Sequence, residues 1–343
     1  MGDDRITVAV LGGSGFIGAE LMRLLAAHPQ VEPKFVSSAR HAGQRVGQVV
    51  PGLRNSPVGE HRMRGLDEMS KVDVAVACLP NGTLPTVLEE VSANADLVVN
   101  VAGDYRLRQP DEIAKHYPES AGGWRHPIPY WVPEFCAKPT EPVLNLPGCM
   151  AASTLYAIYP LFQAGVAAPQ VVVDAKTGSS GSGSGSVEHP AIRDGNVRVH
   201  RLHGHRHAPE VRQAITDLTG NTPDIQFSTF SLPVARGVMV SAYGRLNPGA
   251  GIGDVRRAFA RAYADTPFVR MANGRTPMAL PMLKTVVGSN VAEVGVAVED
   301  DRWVSVCTLD NLIKGGAGQA VQALNRVYGL DERLGLPEAG GWP

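Results

Sequence analysis

The feature that most constrains this chain is a strand-like run that passes without a linker into glycines and then into a helix. Residues 5–11, Arg-Ile-Thr-Val-Ala-Val-Leu, are the short β-branched run of a buried parallel strand. Gly12-Gly13-Ser14-Gly15-Phe16-Ile17-Gly18 follows at once, and residues 19–27 are helix-like. Gly13, Gly15 and Gly18 fit G-x-G-x-x-G in the strand–turn–helix setting that gives the pattern its meaning. Small residues there let the backbone approach a pyrophosphate, which the following helix N-terminus then holds. A tight turn with no ligand is the plainer alternative.

The next strand, residues 31–37, ends in Ser37-Ser38-Ala39-Arg40. An NAD site usually carries Asp or Glu about 20 residues past the glycines, where it grips the ribose 2′-hydroxyl. No carboxylate stands here. The hydroxyl of Ser38 and the guanidinium of Arg40 suit a 2′-phosphate, so the expected cofactor is NADP(H), unless Arg40 is only a solvated surface charge. Strands over 72–79 and 97–101 alternate with helices at the spacing of a doubly wound parallel sheet. Their ends, 78–82 and 101–106, should open onto the cofactor crevice. Asp104 and Arg106 sit there, as substrate ligands or as a salt bridge. Residues 122–142, rich in Pro and aromatics, read as a covering loop that carries Tyr130, Pro133 and Glu134.

In the stretch 144–156, Pro147-Gly148 hands over to an apolar run that reads as helix until Pro160. Cys149 therefore lies at a helix N-terminus, where unpaired N–H groups and the dipole favour an anion. The dipole is worth up to ~2 kcal/mol, enough to lower a thiol by roughly one pKa unit. A buried structural cysteine is the competing reading. Beyond a strand at 171–177, the run 178–186 is all Gly and Ser, a linker by composition or else a loop closing on an anion. A dense cationic segment follows, with Arg193, Arg198, His200, Arg201, His203, His205, Arg206 and His207, then Pro209-Glu210. Its alternate histidines lack the companions of a metal site, so no metal is expected. One His is better placed as acid–base beside the thiol, with the arginines facing an anion or simply solvent. Residues 225–232 and 236–244 read as antiparallel strands, 254–264 as helix, and 291–298 and 303–309 as further strands. Such mixed strands imply an α+β domain with a sheet open for pairing.

The chain's 343 residues allow two domains. Its net charge of −1 argues against a general nucleic-acid binder or attraction to an anionic membrane surface. Four scattered cysteines, Cys78, Cys136, Cys149 and Cys307, fit neither zinc nor a disulfide framework. No run nears the ~20 apolar residues of a membrane span, and Met-Gly-Asp-Asp-Arg is no signal peptide, so a cytoplasmic protein is expected.

A glycine-rich NADP turn, Pro-Gly-Cys opening a helix, Gly-His-Arg-His-x-Pro-Glu, and Asp-Asn-Leu-x-Lys-Gly occur here in one order. That combination resembles the N-acetyl-γ-glutamyl-phosphate reductases, relatives of aspartate-semialdehyde dehydrogenase, over nearly the whole chain. The resemblance implies an α/β protein: a Rossmann-type doubly wound NADP domain at 1–148 with 312–343, and an α+β catalytic and dimerisation domain of the semialdehyde-dehydrogenase type at 149–311. It makes Cys149 the nucleophile and His207 the acid–base residue. It makes Ser14, Gly15, Phe16, Ile17, Ser38, Ala39 and Arg40 cofactor contacts, beside Gly12, Gly13 and Gly18, and Asn311 a nicotinamide-side contact. Arg106, Ser180, His205 and Arg236 are the candidate substrate contacts.

Two departures from the family pattern matter. Met150-Ala151-Ala152 follows the cysteine in place of an aromatic or Asn, a small residue and Thr. The Gly-Ala-Gly-Arg phosphate loop is replaced by the Ser/Gly run and Glu188-His189-Pro190. These, with Gly204-His205-Arg206-His207 and Leu334-Gly335-Leu336, look closer to a subgroup that reduces the acyl phosphate of aminoadipate or glutamate on a small acidic carrier protein. The implied reaction is NADPH-dependent reductive dephosphorylation to a semialdehyde through a cysteine thioester, in arginine- or lysine-type biosynthesis, by a homodimer or homotetramer. The cationic 193–207 segment would then dock the carrier. Aspartate-semialdehyde dehydrogenase and a non-catalytic NADPH sensor are the rival readings.

Overall fold

The computed structural model describes residues 5–120, 128–185, 189–272, 274 and 276–342. Residues 122–127 of the expected covering loop, together with Ser186 and Glu188, lie outside these. The chain divides into two compact units, Met1–Pro147 with Gly316–Leu336 and Gly148–Gly315 with Pro337–Pro343. Residues 312–315 and 337–343, placed above with the dinucleotide domain, thus pack with the second unit.

The first unit is a five-stranded parallel sheet in the order β2-β1-β3-β4-β5. Its strands are β1 (Ile6–Leu11), β2 (Val31–Ser37), β3 (Val72–Ala77), β4 (Ala95–Asn100) and the short β5 (Val143–Asn145). Helices α1 (Phe16–Ala26), α2 (Val46–Val49), α3 (Leu84–Ala93) and α4 (Pro110–His116) connect them. Strand order reverses between β1 and β3, the switch point where such sheets open a ligand crevice. Apolar residues fill both faces, with Ala9, Leu11, Ala75, Ala77 and Val98 packed against Leu84 and Leu88 of α3. Helix α10 (Gly318–Tyr328) returns to this unit against α1, where His28 and Asn325 share a buried hydrogen bond of 2.9 Å.

The second unit is a seven-stranded mixed sheet in the order β10-β11-β12-β9-β6-β8-β7. It contains β6 (Ala167–Thr177), β7 (Arg198–Arg201), β8 (Asp224–Ser231), β9 (Val238–Leu246), β10 (Val269–Met271), β11 (Ala292–Glu299) and β12 (Arg302–Leu309). Its helices are α5 (Cys149–Gln163), α6 (Pro190–Arg193), α7 (His207–Thr219), α8 (Ile252–Tyr263) and α9 (Leu283–Val286). Strands β8 and β9, expected to pair with each other, lie on opposite sides of β6 instead. β8 runs parallel to it and β9 antiparallel. Helix α5 packs on α7, α8 and the strands β9 and β12.

Two local expectations are corrected. Helix α5 does not stop at Pro160 but runs to Gln163. Proline has no N–H for the carbonyl four residues back, a defect of ~3 kcal/mol in a helix interior. Here that carbonyl, of Tyr156, accepts the hydroxyl of Tyr263 from α8. The described part of the Ser/Gly run is likewise no linker. Gly178, Ser179 and Ser180 donate their N–H groups to the carbonyls of Gly237, Val234 and Ala235. Arg193 donates to the Ser179 carbonyl at 3.1 Å and the Ser182 hydroxyl at 2.8 Å. Those main-chain donors are spent within the fold, so they form no cradle for an anion.

Candidate active site

In the first unit the glycine turn is built by contact, not by flexibility alone. Gly12 has φ +87°, and a Cβ there would lie 2.6 Å from the Cys78 carbonyl oxygen. A Cβ on Gly18 would lie 2.3 Å from the Gly12 carbonyl oxygen, so helix α1 begins hard against the turn. Gly13 donates to the Ser37 carbonyl and Gly15 to that of Gly12. Past β2, the hydroxyls of Ser14 and Ser38 share a hydrogen bond of 2.9 Å, and His41 donates its N–H to Ser38 Oγ at 3.3 Å. Ser38 is buried, whereas Ala39 and Arg40 are exposed beside it. The tightly packed glycine turn at the α1 N-terminus, with a guanidinium just past β2, fits a dinucleotide.

Arg106 is buried, and its guanidinium donates to the carbonyls of Leu146 at 2.9 Å and Val101 at 2.7 Å. It braces the main chain that leads to Cys149. Asp104 is buried beside it, accepting from the Gly82 N–H at 2.7 Å and from the Ser120 hydroxyl. Its Oδ2 is buried and has no hydrogen-bond partner among the described residues.

In the second unit, Cys149 is the first residue of α5, after Gly148 in extended conformation at the N-cap. The first-turn N–H groups of such a helix point outward without helical acceptors, the arrangement an oxyanion requires. Gly148 donates its N–H to Glu210 Oε1 at 2.9 Å. The other oxygen, Oε2, lies 2.6 Å from His207 Nδ1. Glu210 is fully buried in the first turn of α7, which starts at His207 and brings residues three apart onto one face. One carboxylate thus joins His207 to the start of the helix that carries Cys149. A carboxylate only accepts, so Nδ1 carries a proton, and in the neutral imidazole Nε2 then keeps its lone pair. Glu210 closed the cationic segment in the sequence, and no role was read for it there.

His205 is placed differently from His207. Its ring stacks on Phe227 with centroids 5.6 Å apart, and its Nδ1 accepts the His207 N–H at 3.3 Å. Burial, followed by the charges of His207, Arg206, Arg201 and His200, pushes its pKa down to about 2. It is a neutral supporting ring and a poor base. The sign of its effect on stability follows. Below the unfolded value of ~6.5 the unfolded chain takes up a proton that the folded chain refuses, so stability falls with falling pH. The expected slope from this residue is about 1.4 kcal/mol per pH unit below ~6.5. Urea unfolding at pH 7.5 and 5.0 measures it, and the slope should shrink in His205→Gln.

Gly315 packs directly against Cys149, since a Cβ built on it would lie 2.6 Å from Cys149 Cβ. It belongs to a π-turn, Ile313–Ala317, anchored by Asp310. Asp310 is fully buried and accepts from the N–H groups of Leu312 at 2.8 Å and Gly288 at 2.8 Å. It also pairs with Arg236, Nε to Oδ2 at 3.1 Å and Nη2 to Oδ1 at 3.2 Å. Asn311 accepts the Gly237 N–H at 2.6 Å and donates to Ser180 Oγ at 2.9 Å. Asn311, Ser180 and Arg236 thus form one cluster within the catalytic unit. Of the other thiols, burial pushes Cys78 up to about 12 and raises Cys136, so neither is a ready nucleophile. Among the described residues no disulfide joins the four cysteines and no group of three or more His, Cys, Asp or Glu could hold a metal ion. No helix among the described residues is long and apolar enough to cross a membrane.

One unit carries a dinucleotide turn on a doubly wound sheet, and the other a cysteine at a helix start joined through Glu210 to a histidine; these are the parts of an oxidoreductase. The chain belongs to the semialdehyde dehydrogenase family: residues 7–141 match its NAD-binding domain and 149–311 its dimerisation domain. It is 38% identical over 342 residues to N-acetyl-gamma-glutamyl-phosphate reductase 1 of Lactiplantibacillus plantarum, covering 98% of this chain and 99% of that one. It is 34% identical over 357 residues to the putative LysW–L-2-aminoadipate 6-phosphate reductase of Thermomicrobium roseum, again covering 98% and 99%. Aspartate semialdehyde dehydrogenase II of Vibrio cholerae shares the fold, with a TM-score of 0.73 at 15% identity over 94% of this chain and 98% of that one. The cofactor is a nicotinamide dinucleotide.

Proposed function

We propose that this chain reduces an N-blocked γ-glutamyl or 2-aminoadipyl phosphate to the semialdehyde, with NADPH, through a thioester on Cys149. The single observation that carries this reading is Glu210, bonded at once to His207 and to the residue before Cys149. His207 takes the thiol proton at Nε2, and the thiolate attacks the acyl carbon. Phosphate leaves with the electron pair of the C–O bond, and an enzyme thioester remains. NADPH, which the glycine turn at 12–18 with Ser38 and Arg40 would hold, would supply the hydride that reduces the thioester. The α5 N–H groups hold the oxyanion that results, which collapses to aldehyde and expels the thiolate. An acyl phosphate suits this route because phosphate leaves readily, whereas a free carboxylate scarcely reacts with a thiolate.

NADPH is favoured over NADH because residues 37–41 offer Arg40 and hydroxyls but no carboxylate. Arg236, paired yet 28% exposed, is the proposed anion contact with Ser180 beside it. Arg106 and His205 act by positioning, and Asn311 holds the loop that carries Ser180. A carrier-linked substrate is favoured by the cationic segment at 193–206, and an N-acetylated one by the 38% identity to the Lactiplantibacillus enzyme. Turnover of N-acetylglutamyl phosphate and of LysW-linked aminoadipyl phosphate, each with NADPH and NADH, tests the whole reading. No NADPH oxidation with either substrate would overturn it.

Self-association is proposed through the sheet face opposite α5. Val172 and Tyr243, cross-strand partners on β6 and β9, are both more than 40% exposed there, next to Val304 on β12. Sedimentation velocity of the wild type and of Tyr243→Glu reads this out, and a monomeric wild type would refute it.

A further inference from the structure

We propose that the outer edge of β7 docks an acidic protein partner, which adds an extended segment as an eighth strand; this rests on the carrier-linked reading above. Strand β7 ends the seven-stranded sheet, and among the described residues it pairs only with β8. An edge strand presents main-chain donors and acceptors to any extended segment of suitable sequence. Around this edge the exposed apolar side chains gather: Ile192 at 52%, Val197 at 61%, Val199 at 47% and Leu202 at 62% exposed. Four large apolar residues within eleven positions are more than the scattered single ones that a surface ordinarily shows.

The charge around them selects the occupant. Residues 189–206 hold four arginines, three exposed histidines and one aspartate, with His205 buried beneath them, in a chain whose net charge is −1. A second copy laid antiparallel and centred on β7 would set Arg198 of each copy opposite Arg201 of the other, and like charges opposite one another destabilise a strand pair. The pairing also slips register between Val199 and Arg201, a bulge that discourages indiscriminate edge pairing. An acidic segment with alternating apolar residues meets both demands: its carboxylates face the arginines and its apolar side chains cover Val197 and Val199. The site lies close to the chemistry along the chain. Arg201 and His207 are six positions apart, a span of at most ~20 Å when extended. Leu202, between them, is fixed by the Ser228 hydroxyl on its carbonyl at 2.9 Å.

The test uses a Val197→Glu/Val199→Glu double variant, two surface substitutions outside the catalytic cluster. Its kcat/KM for LysW-linked aminoadipyl phosphate should fall at least tenfold, with turnover of free N-acetylglutamyl phosphate within twofold of wild type. Hydrogen exchange of the residue 197–202 amides in the wild type should slow when unmodified LysW is added. Equal effects on both substrates, no effect on either, or protection confined to another surface would overturn the docking edge. A wild type that turns over only the free substrate would instead overturn the carrier-linked reading beneath it. A double variant altered in subunit number would reassign the edge to a second copy.

Discussion

Cys149→Ser lowers kcat by at least three orders of magnitude and leaves NADPH affinity at the wild-type value. The expected loss is large because a thiol can be brought to ionise near neutral pH and a hydroxyl cannot. The α5 dipole contributes up to ~2 kcal/mol, roughly one pKa unit, and a neighbouring imidazolium adds to it. Neither comes near what a serine would need. The same variant separates the two halves of the chemistry, because the glycine turn at 12–18 lies in the other compact unit. Stopped-flow NADPH oxidation with an acyl phosphate and isothermal titration of NADPH on the same preparation give both numbers. A serine variant within tenfold of wild-type kcat would exclude the thioester. Stoichiometric alkylation of the wild type by iodoacetamide, blocked in the variant, identifies the sulfur independently.

Much of this was legible where the physics is local. The strand–glycine–helix turn is specified by neighbours in sequence, and so is a cysteine placed one residue after a glycine N-cap. What escaped depends on partners far along the chain. Glu210 meets Gly148 across sixty-two positions, and nothing near it says that one oxygen turns towards the nucleophile's helix. Pro160 reads as a helix stop because the local rule cannot see Tyr263 arriving at the Tyr156 carbonyl. Composition makes residues 178–182 a flexible run, yet carbonyls more than fifty positions away hold them. β8 and β9 are adjacent in sequence and patterned alike, so only tertiary pairing inserts β6 between them. His205 and His207 differ in sequence by nothing but place; burial on Phe227 silences one, and a carboxylate orients the other.

That carboxylate carries the second large effect: Glu210→Gln should lower kcat by about 10²- to 10⁴-fold at neutral pH, on the pattern of a base whose orienting carboxylate becomes an amide. Glu210 accepts from both the Nδ1–H of His207 and the N–H of Gly148. A glutamine of the same shape has one acceptor oxygen and one donor nitrogen. If its oxygen stays on Gly148, its NH₂ faces His207, which must place its proton on Nε2 and so loses the lone pair that takes the thiol proton. If the amide is reversed, His207 keeps its tautomer and Gly148 loses its acceptor, at about 1–3 kcal/mol for a buried group left unpaired. Either arrangement harms the site, and the two are separable. The first lowers kcat and distorts its pH profile with urea stability little changed; the second lowers stability and disturbs the start of α5. Glu210→Asp retains the charge but is one methylene short of spanning both donors, so it should recover only part of the lost rate. A glutamine variant with wild-type kcat, pH profile and stability would mean that this carboxylate neither orients the imidazole nor fixes the helix start.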